Sequence, residues 1–429
     1  MRTFEKSNAF LRRAEAVIPL GSQTFSKSRT QYPAGVSPFF IVRGQGSHVW
    51  DIDGNEYIDF VNSLAAITLG YQDPDVNAAV REQLDTSGTI FSLPHPLETE
   101  VAELICEMVP CAEMVRFGKN GSDATSGAIR IARAYTNRDR VAVCGYHGWQ
   151  DWYIGSTARN LGVPAATREL THQFPYNDLA ALERLLSSRR AEFAAVILEP
   201  MNVVAPLPGY LNGVRELTHA HGAILVFDET ITGFRYSNGG AQELFGVTPD
   251  LATFGKGLAN GFAVSAVAGR RDIMKMMEEV FFSFTFGGEC LSLAAAKATL
   301  NKLKRVPVIE QLSRHGGRII QEVAGLIDQN KLSDVLSVAG HPTWSFLLFQ
   351  DGRGEKANEI KTLWMQEMLQ RGILSVGTHN LSYAHTDDDV SALIDAYAEV
   401  LPLLRHAIEV GGVRSALRCK PLVPLFKVR

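Results

Sequence analysis

The chain has 429 residues, 46% of them hydrophobic and 21% charged, with a formal net charge of −4. That length can bury the cores of two or three domains, and so small a charge gives no basic field for nucleic acid or an anionic membrane. The longest apolar runs, such as "AAVILEP" (194–200) and "GAILVFDE" (222–229), are too short to span a bilayer.

The N-terminal stretch alternates charged and apolar residues, which is not the pattern of a secretory signal. Within it, residues 7–17 read as a helix. "SHVWDIDGNEYIDF" (47–60) reads as a hairpin, two β-rich runs turned at Asp53-Gly54. From about residue 97 to 290, short apolar runs alternate with helical segments. Strands are expected at 113–117, 141–145, 194–199, 223–228, 251–254 and 263–268. Near-continuous Val/Ile/Leu/Phe runs separated by helices predict a mainly parallel sheet covered on both faces, an α/β fold. After residue 291 come long helices at 291–304, 309–329, 355–371 and 387–409, enclosing strand-like pieces such as "TWSFLLFQ" (343–350). That is a smaller α+β unit. The expected division is 1–60, packing with the small domain; 61–290, the large domain; and 291–429, the small one. The basic, proline-broken end "RSALRCKPLVPLFKVR" (414–429) is expected to pack as a tail or extend freely. Five cysteines (Cys106, Cys111, Cys144, Cys290, Cys419) are spread without a CxxC pair. Neither a disulfide framework nor a zinc or other metal site is expected, and reduced thiols in a cytoplasmic protein are.

Three polar groups fall at strand ends. Glu199 ends "AAVILE", Asp228 ends "GAILVFD" and Lys256 follows "LATFGK", at steps of 29 and 28 residues. Those steps are close to the roughly 30 residues of a βαβ unit. All three therefore belong at the carboxyl edge of a parallel sheet, where open α/β folds bind ligands. A single acid after a strand more often caps the next helix; two acids and a lysine at matched steps favour a site. The glycines on either side of Lys256 are expected to let the backbone approach a ligand closely.

Upstream, "RFGKNGSDATSGAIRIARAYT" (116–136) runs strand, small-residue turn, helix, with Ala128, Ile131, Ala132 and Tyr135 on one apolar face. Its turn, Asn120 to Asp123, would leave amides at a helix N-terminus suited to a phosphate. Simple capping by Ser122 or Asp123 explains the same residues. Neither GK[ST] nor GxGxxG is present, so ATP and NAD are poor candidates. In "CGYHGWQDWY" (144–153), Tyr146, His147, Trp149, Trp152 and Tyr153 crowd a loop at the same edge. Most are expected to be rim packing, one to stack on a flat heterocycle.

The phosphate turn, "YHG", "DETITGFR" (228–235) and "TFGKGLANGF" (253–262) together resemble class III aminotransferases, fold-type I enzymes dependent on pyridoxal 5′-phosphate (PLP). The similarity runs from "SPFFIVRGQG" to "SYAHTDDDVSALIDAY". It is nearest to the glutamate-1-semialdehyde aminomutase branch through "AIRIARAYTNRD" and "AHTDDDV". The resemblance implies that Lys256 holds PLP as a Schiff base and, once released, shuttles protons. Asp228 would pair with the pyridine nitrogen. Gly121 and Ser122 would hold the phosphate, Tyr146 would stack on the ring and Thr230 would pack on its other face. Glu199 and Asn202 would lie near the phenolic oxygen and the substrate. Thr285, in "FTFGGE", would reach the neighbouring subunit's cofactor in a homodimer. His147 is expected to be a packed, hydrogen-bonded histidine.

Three stretches depart from the aminomutase pattern. An "NSPVRAF"-like stretch, with the arginine that grips a carboxylate, is replaced by "GSQTFSKSRTQYPAG" (21–35), with Lys27 and Arg29. "EPMNVVAPLPGY" (199–210) is shorter, and "FTFGGECLS" (284–292) stands where the branch has "GTLSGNP". The expected activity is amino transfer from an amino-acid donor such as glutamate to an aldehyde or ketone. Ser22, Gln23, Thr24 and Ser26 would suit a sugar-derived acceptor, unless they merely form a turn. An aminomutase-type isomerase, a PLP-dependent decarboxylase and a catalytically silent scaffold are the alternatives.

Overall fold

The computed structural model describes residues 2–423. These form two units, one taking the residues up to Asp73 and those from Glu310 onward, the other Pro74–Ile309. In the first, a helix at Glu5–Glu15 precedes the strands Ile41–Gln45 (β1), His48–Asp51 (β2) and Glu56–Asp59 (β3). β2 and β3 are the expected hairpin, and β1 adds an outer strand that the sequence reading did not include. The turn forms at Asp53-Gly54 because Gly54 takes a φ of 91° and Asp51 accepts hydrogen bonds from Asn55 N and Nδ2, both at 2.8 Å.

The second unit carries seven strands: Met114–Gly118 (β4), Arg140–Cys144 (β5), Thr171–Gln173 (β6), Phe193–Leu198 (β7), Ile224–Asp228 (β8), Leu251–Phe254 (β9) and Ser265–Gly269 (β10). Their order is β4-β10-β9-β8-β7-β5-β6. The run from β6 to β9 is parallel. β10 runs antiparallel between β9 and β4. The reason is length: only residues 255–264 join β9 to β10, too few for a helical crossover, so the chain must fold back. The short edge strand β6 lacks a long apolar run and was not expected.

β5 and β7 to β10 are buried on both faces, as near-continuous apolar runs require. On one face Val141, Val143, Ala195, Ile197 and Val226 pack with the helix Gly121–Thr136 through Ala128, Ile131 and Ala132. On the other, Ala142, Val196, Leu198, Leu225 and Phe227 pack with Leu182, Leu186 and Val214. The period of two between the faces is the strand's own alternation. Tyr135 is the exception to the predicted helix face: it is 41% exposed, its hydroxyl donating to Asp272. The helix Cys290–Arg305 packs on Pro74–Thr86 and Pro96–Met108, with Lys297 bonded to Glu100 and Lys304 to Glu107. That helix keeps the chain in this unit as far as Ile309, past the division expected at 290.

The remaining strands, Leu336–His341 (β11), Trp344–Phe349 (β12), Ile373–Leu374 (β13) and Thr378–Asn380 (β14), belong to the first unit. β11, β12 and β14 form an antiparallel sheet, and β13 adds in parallel to β3, so this unit is woven from both ends of the chain. The expected C-terminal tail packs as far as it is described: Arg418 N donates to Gln366 Oε1 and Leu422 N to Thr362 Oγ1. Residues 424–429 lie outside the described residues.

Candidate active site

β7, β8 and β9 are neighbours in one parallel sheet, so the groups that end them arrive side by side. Glu199 follows β7, Asp228 closes β8, and Lys256 stands two residues after β9. With Asn120, Gly121, Ser122, Thr125, Tyr146, His147, Gly148, Trp149, Thr230 and Ile231 they line one cavity of about 320 Å³. That volume is at the lower end of small-ligand pockets, roughly 300–1,000 Å³.

Asp228 is 4% exposed and holds three donors. Thr230 N (3.1 Å) and Thr253 Oγ1 (3.2 Å) bind its Oδ1, and His147 Nδ1 (2.8 Å) its Oδ2. The β8–β9 register, which pairs Asp228 with Thr253, brings that hydroxyl there. Burial by itself would raise the carboxyl. The hydrogen bond and charge of His147, together with the hydroxyl and amide of Thr230, outweigh it and hold Asp228 below the usual carboxylate range. Glu199 is also buried, its Oε2 accepting from Tyr146 N and Asn202 Nδ2, both at 3.0 Å. Burial, then Glu199, pushes the Cys144 thiol up to about 12, so it stays protonated.

The turn before the helix Gly121–Thr136 is capped by Asn120 rather than by Ser122. Its side chain accepts from Asp123 N, and Asp123 Oδ2 returns the bond to Asn120 N. Ser122 Oγ accepts from Trp149 N at 3.2 Å instead. Gly121 and Ser122 are the first two residues of this helix, where backbone N–H groups have no intrahelical acceptor.

Lys256 is partly buried, and it is the strained residue, with φ at 42°. Gly255 is extended, at φ −174°, a conformation open to any residue. The glycines that are needed lie opposite, in the "GYHG" loop. Gly145 and Gly148 have φ values of 107° and 104°. A Cβ on Gly145 would stand 2.6 Å from Glu199 Oε2, and one on Gly148 2.3 Å from Ser122 Oγ.

Residues 31–382 match the family described as Aminotransferase class-III. The chain belongs to the class-III aminotransferase family. It is 34% identical over 405 residues to 3-aminobutyryl-CoA aminotransferase of Cloacimonas acidaminovorans, covering 92% of this chain and 96% of that protein. It is 37% identical over 440 residues to glutamate-1-semialdehyde 2,1-aminomutase of Roseiflexus castenholzii, covering 96% and 100%. The solved PLP internal aldimine form of the FumI protein of Sphingopyxis sp. MTA144 matches with a TM-score of 0.88 at 27% identity, over 97% of this chain and 99% of that one.

PLP is the cofactor of this class-III aminotransferase, and the cavity fits it in two respects. Thr230 Oγ1 is buried with no partner in hydrogen-bonding geometry, as a group awaiting a ligand would be. Gly121 is held so close to Thr230 that a Cβ would stand 3.0 Å from Thr230 Cγ2, which keeps this wall thin. Two of the nine expected cofactor residues, Asn202 and Thr285, are not among those that line this cavity. Asn202 bonds to Glu199 and is not among the lining residues. Thr285 is exposed in the segment between Val280 and Glu289 and does not line its own chain's cavity. Sequence reasoning missed Thr253, whose signal is its register opposite Asp228, and gave His147 no role in the site. Trp152 and Tyr153 are buried packing residues, as expected of most of the aromatics, whereas Trp149 is 65% exposed. Two of the three hydroxyls expected to suit a sugar are used locally: Thr24 Oγ1 caps Ser26 N, and Ser22 Oγ bonds Thr24 O.

Proposed function

We propose that the enzyme transfers an amino group from an amino-acid donor, with glutamate the first candidate, to an aldehyde or ketone. The observation that carries this is the meeting of Lys256, Asp228 and the Gly121–Ser122 helix terminus in one cavity. Bound there, PLP supplies an aldehyde for covalent attachment and a ring that withdraws electrons from the substrate carbon. Lys256 Nζ would hold the cofactor and, once released, would take and return the proton at the substrate carbon. Asp228 would hold the ring nitrogen. The Gly121 and Ser122 amides would hold the phosphate end, and Tyr146 and Thr230 would pack against the ring. Glu199, whose Oε2 accepts from Tyr146 N and Asn202 Nδ2, would lie near the phenolic oxygen and the substrate.

We infer a homodimer in which Thr285 reaches the other site. The segment 280–289 supports it. Arg130 and Arg116 hold the carbonyls of Phe281 and Phe282, while Phe281, Phe284 and Phe286 stay exposed. Five free cysteines fit a reducing compartment, the cytoplasm.

The two curated relatives act, by their names, on 3-aminobutyryl-CoA and on a semialdehyde. They support an acceptor whose carbonyl is not that of a 2-oxo acid. The turn bonds at Ser22 and Thr24 leave a sugar-derived acceptor without structural support. The 37% identity to an aminomutase keeps intramolecular transfer as the second reading. The test is to reconstitute the protein with PLP and add glutamate, then offer aldehydes, ketones and glutamate-1-semialdehyde in turn. Conversion of the cofactor by glutamate and amination of an added carbonyl are expected. A cofactor that no amino-acid donor converts would overturn the proposal, and 5-aminolevulinate from the semialdehyde alone would select the second reading.

A further inference from the structure

The large sheet has a second polar edge. At the amino ends of β5, β7 and β8, opposite the edge that carries Glu199 and Asp228, lies a cavity of about 720 Å³. Three separate stretches wall it: Arg138 before β5, residues 187–191 before β7, and residues 219–222 before β8. Arg138, Arg190, His219 and His221 line it, and none of its lining residues is acidic.

Part of this charge has a local use. The helices Leu179–Ser188 and Tyr210–Ala220 end at the cavity, and carbonyls at a helix C-terminus attract cations. Arg138 Nη1 meets such carbonyls, donating to those of Phe193 (3.2 Å), His221 (2.8 Å) and Gly222 (2.9 Å). That duty occupies one nitrogen of the guanidinium and fixes its plane. Nε and Nη2, the other edge of the fork, make no hydrogen bond among the described residues. A Cβ at Gly222 would stand 3.0 Å from Nη2, so the glycine leaves that nitrogen uncovered. Arg190 is exposed, and its side chain makes no hydrogen bond or ion pair among the described residues. The acids close by in the chain are already held: Glu192 by Arg140 (2.6 Å) and Arg189 (3.9 Å), and Asp250 by Arg270 (2.8 Å) and His219 (2.9 Å).

We infer that this cavity binds a small molecule carrying two oxyanion groups, one held by the Nε–Nη2 edge of Arg138 and the other drawn by Arg190. A fixed guanidinium edge matches two oxygens of one carboxylate or phosphate. The volume falls within the roughly 300–1,000 Å³ of small-ligand pockets and leaves room for a second charged group. The site is separate from the cofactor's. β7 has six residues, about 17–20 Å of strand, so a ligand at its amino end is a strand's length from Glu199.

Titration calorimetry of the PLP-saturated protein with pyrophosphate, and separately with citrate, at low ionic strength tests this. One site per chain is expected, weakening as sodium chloride is added. Binding of pyrophosphate alone would identify the group as phosphate, and of citrate alone as carboxylate. Arg138→Gln should weaken binding about tenfold or more. Gly222→Ala, which covers Nη2 without removing a charge, should weaken it as well, and so should Arg190→Gln. If Arg138→Gln does not fold, because three carbonyls lose their donor, the other two variants decide. The absence of saturable binding to wild type would overturn the inference, as would an affinity unchanged in the variants. A protein that takes up no PLP would defeat the proposed function alone, since these three positions lie a strand's length from the Gly121–Ser122 turn and still locate the anion.

Discussion

Replacing Gly148 by alanine should weaken both the fold and the cofactor site. A non-glycine residue at φ 104° lies beyond the small left-handed well and costs about 1–3 kcal/mol, offset by about 0.4–1 kcal/mol from a stiffer unfolded chain. Gly162 isolates this conformational part: its φ is 88°, it lies in the same unit, and a Cβ there would meet nothing within 4 Å. At Gly148 the methyl would also stand 2.3 Å from Ser122 Oγ, 2.9 Å from Ser122 Cβ and 3.0 Å from its Cα. A rotamer change relieves the first contact only, so the helix terminus must shift. The bond from Trp149 N to Ser122 Oγ is then lost, at about 1 kcal/mol, and overpacking adds about 1–3 kcal/mol. Gly148→Ala should therefore be less stable than Gly162→Ala by about 2–4 kcal/mol in urea unfolding of the cofactor-free protein. PLP affinity should fall in Gly148→Ala alone, about tenfold for each 1.4 kcal/mol that the displaced turn fails to recover. Equal stabilities, with wild-type affinity, would refute the claim that this glycine makes room for Ser122.

Lys256→Ala and Lys256→Gly should both abolish the covalent, visible-absorbing form of PLP, but the glycine variant should be the more stable by about 0.5–1 kcal/mol, because only the alanine keeps the strained φ of 42°. Equal urea midpoints would mean that Lys256 is unstrained. Asp228→Ala should destabilise the cofactor-free protein by about 1–3 kcal/mol, since it leaves the buried donors of Thr253 and His147 without their acceptor; an unchanged urea midpoint would mean that these bonds add nothing to the fold. The folded carboxyl of Asp228 lies below its unfolded value, so its contribution to stability is complete above the usual range and is lost as pH falls through the lower folded value. Urea midpoints of wild type should accordingly drop more steeply on acidification below about pH 4 than those of Asp228→Asn. Phe286→Asp, in the exposed segment beside Thr285, should sediment as a monomer and bind PLP more weakly than a dimeric wild type; a dimeric variant would place the subunit contact elsewhere.

The large sheet was readable because its strands are buried on both faces, which leaves long apolar runs between helices. Each of the six expected strands formed within a residue or two of its predicted place. β6 was not readable, as "THQ" at a sheet edge needs no apolar run, and neither was the reversal at β10, which follows from a connection length rather than from composition. The unit boundaries moved because helical periodicity cannot say which partner a helix will pack on; Cys290–Arg305 looks the same in either unit until its lysines meet Glu100 and Glu107.

For the site, spacing told which residues end which strands, and that was enough to bring Glu199, Asp228 and Lys256 to one edge. It could not tell how many bonds each would already hold. Asp228 is the decisive case, because its charge and aim are set from its own loop and from two places far off in sequence. Thr230 N lies on its own loop, Thr253 on the adjoining strand, and His147 on the loop after β5. The two glycines flanking Lys256 drew attention to the lysine's strand, yet the backbone freedom is used at Gly145 and Gly148, on the loop that carries His147. The lysine itself bears the unusual φ. A lysine in that region carries a backbone cost that a glycine there would not. The comparison of Lys256→Gly with Lys256→Ala measures how much of that strain the folded state stores.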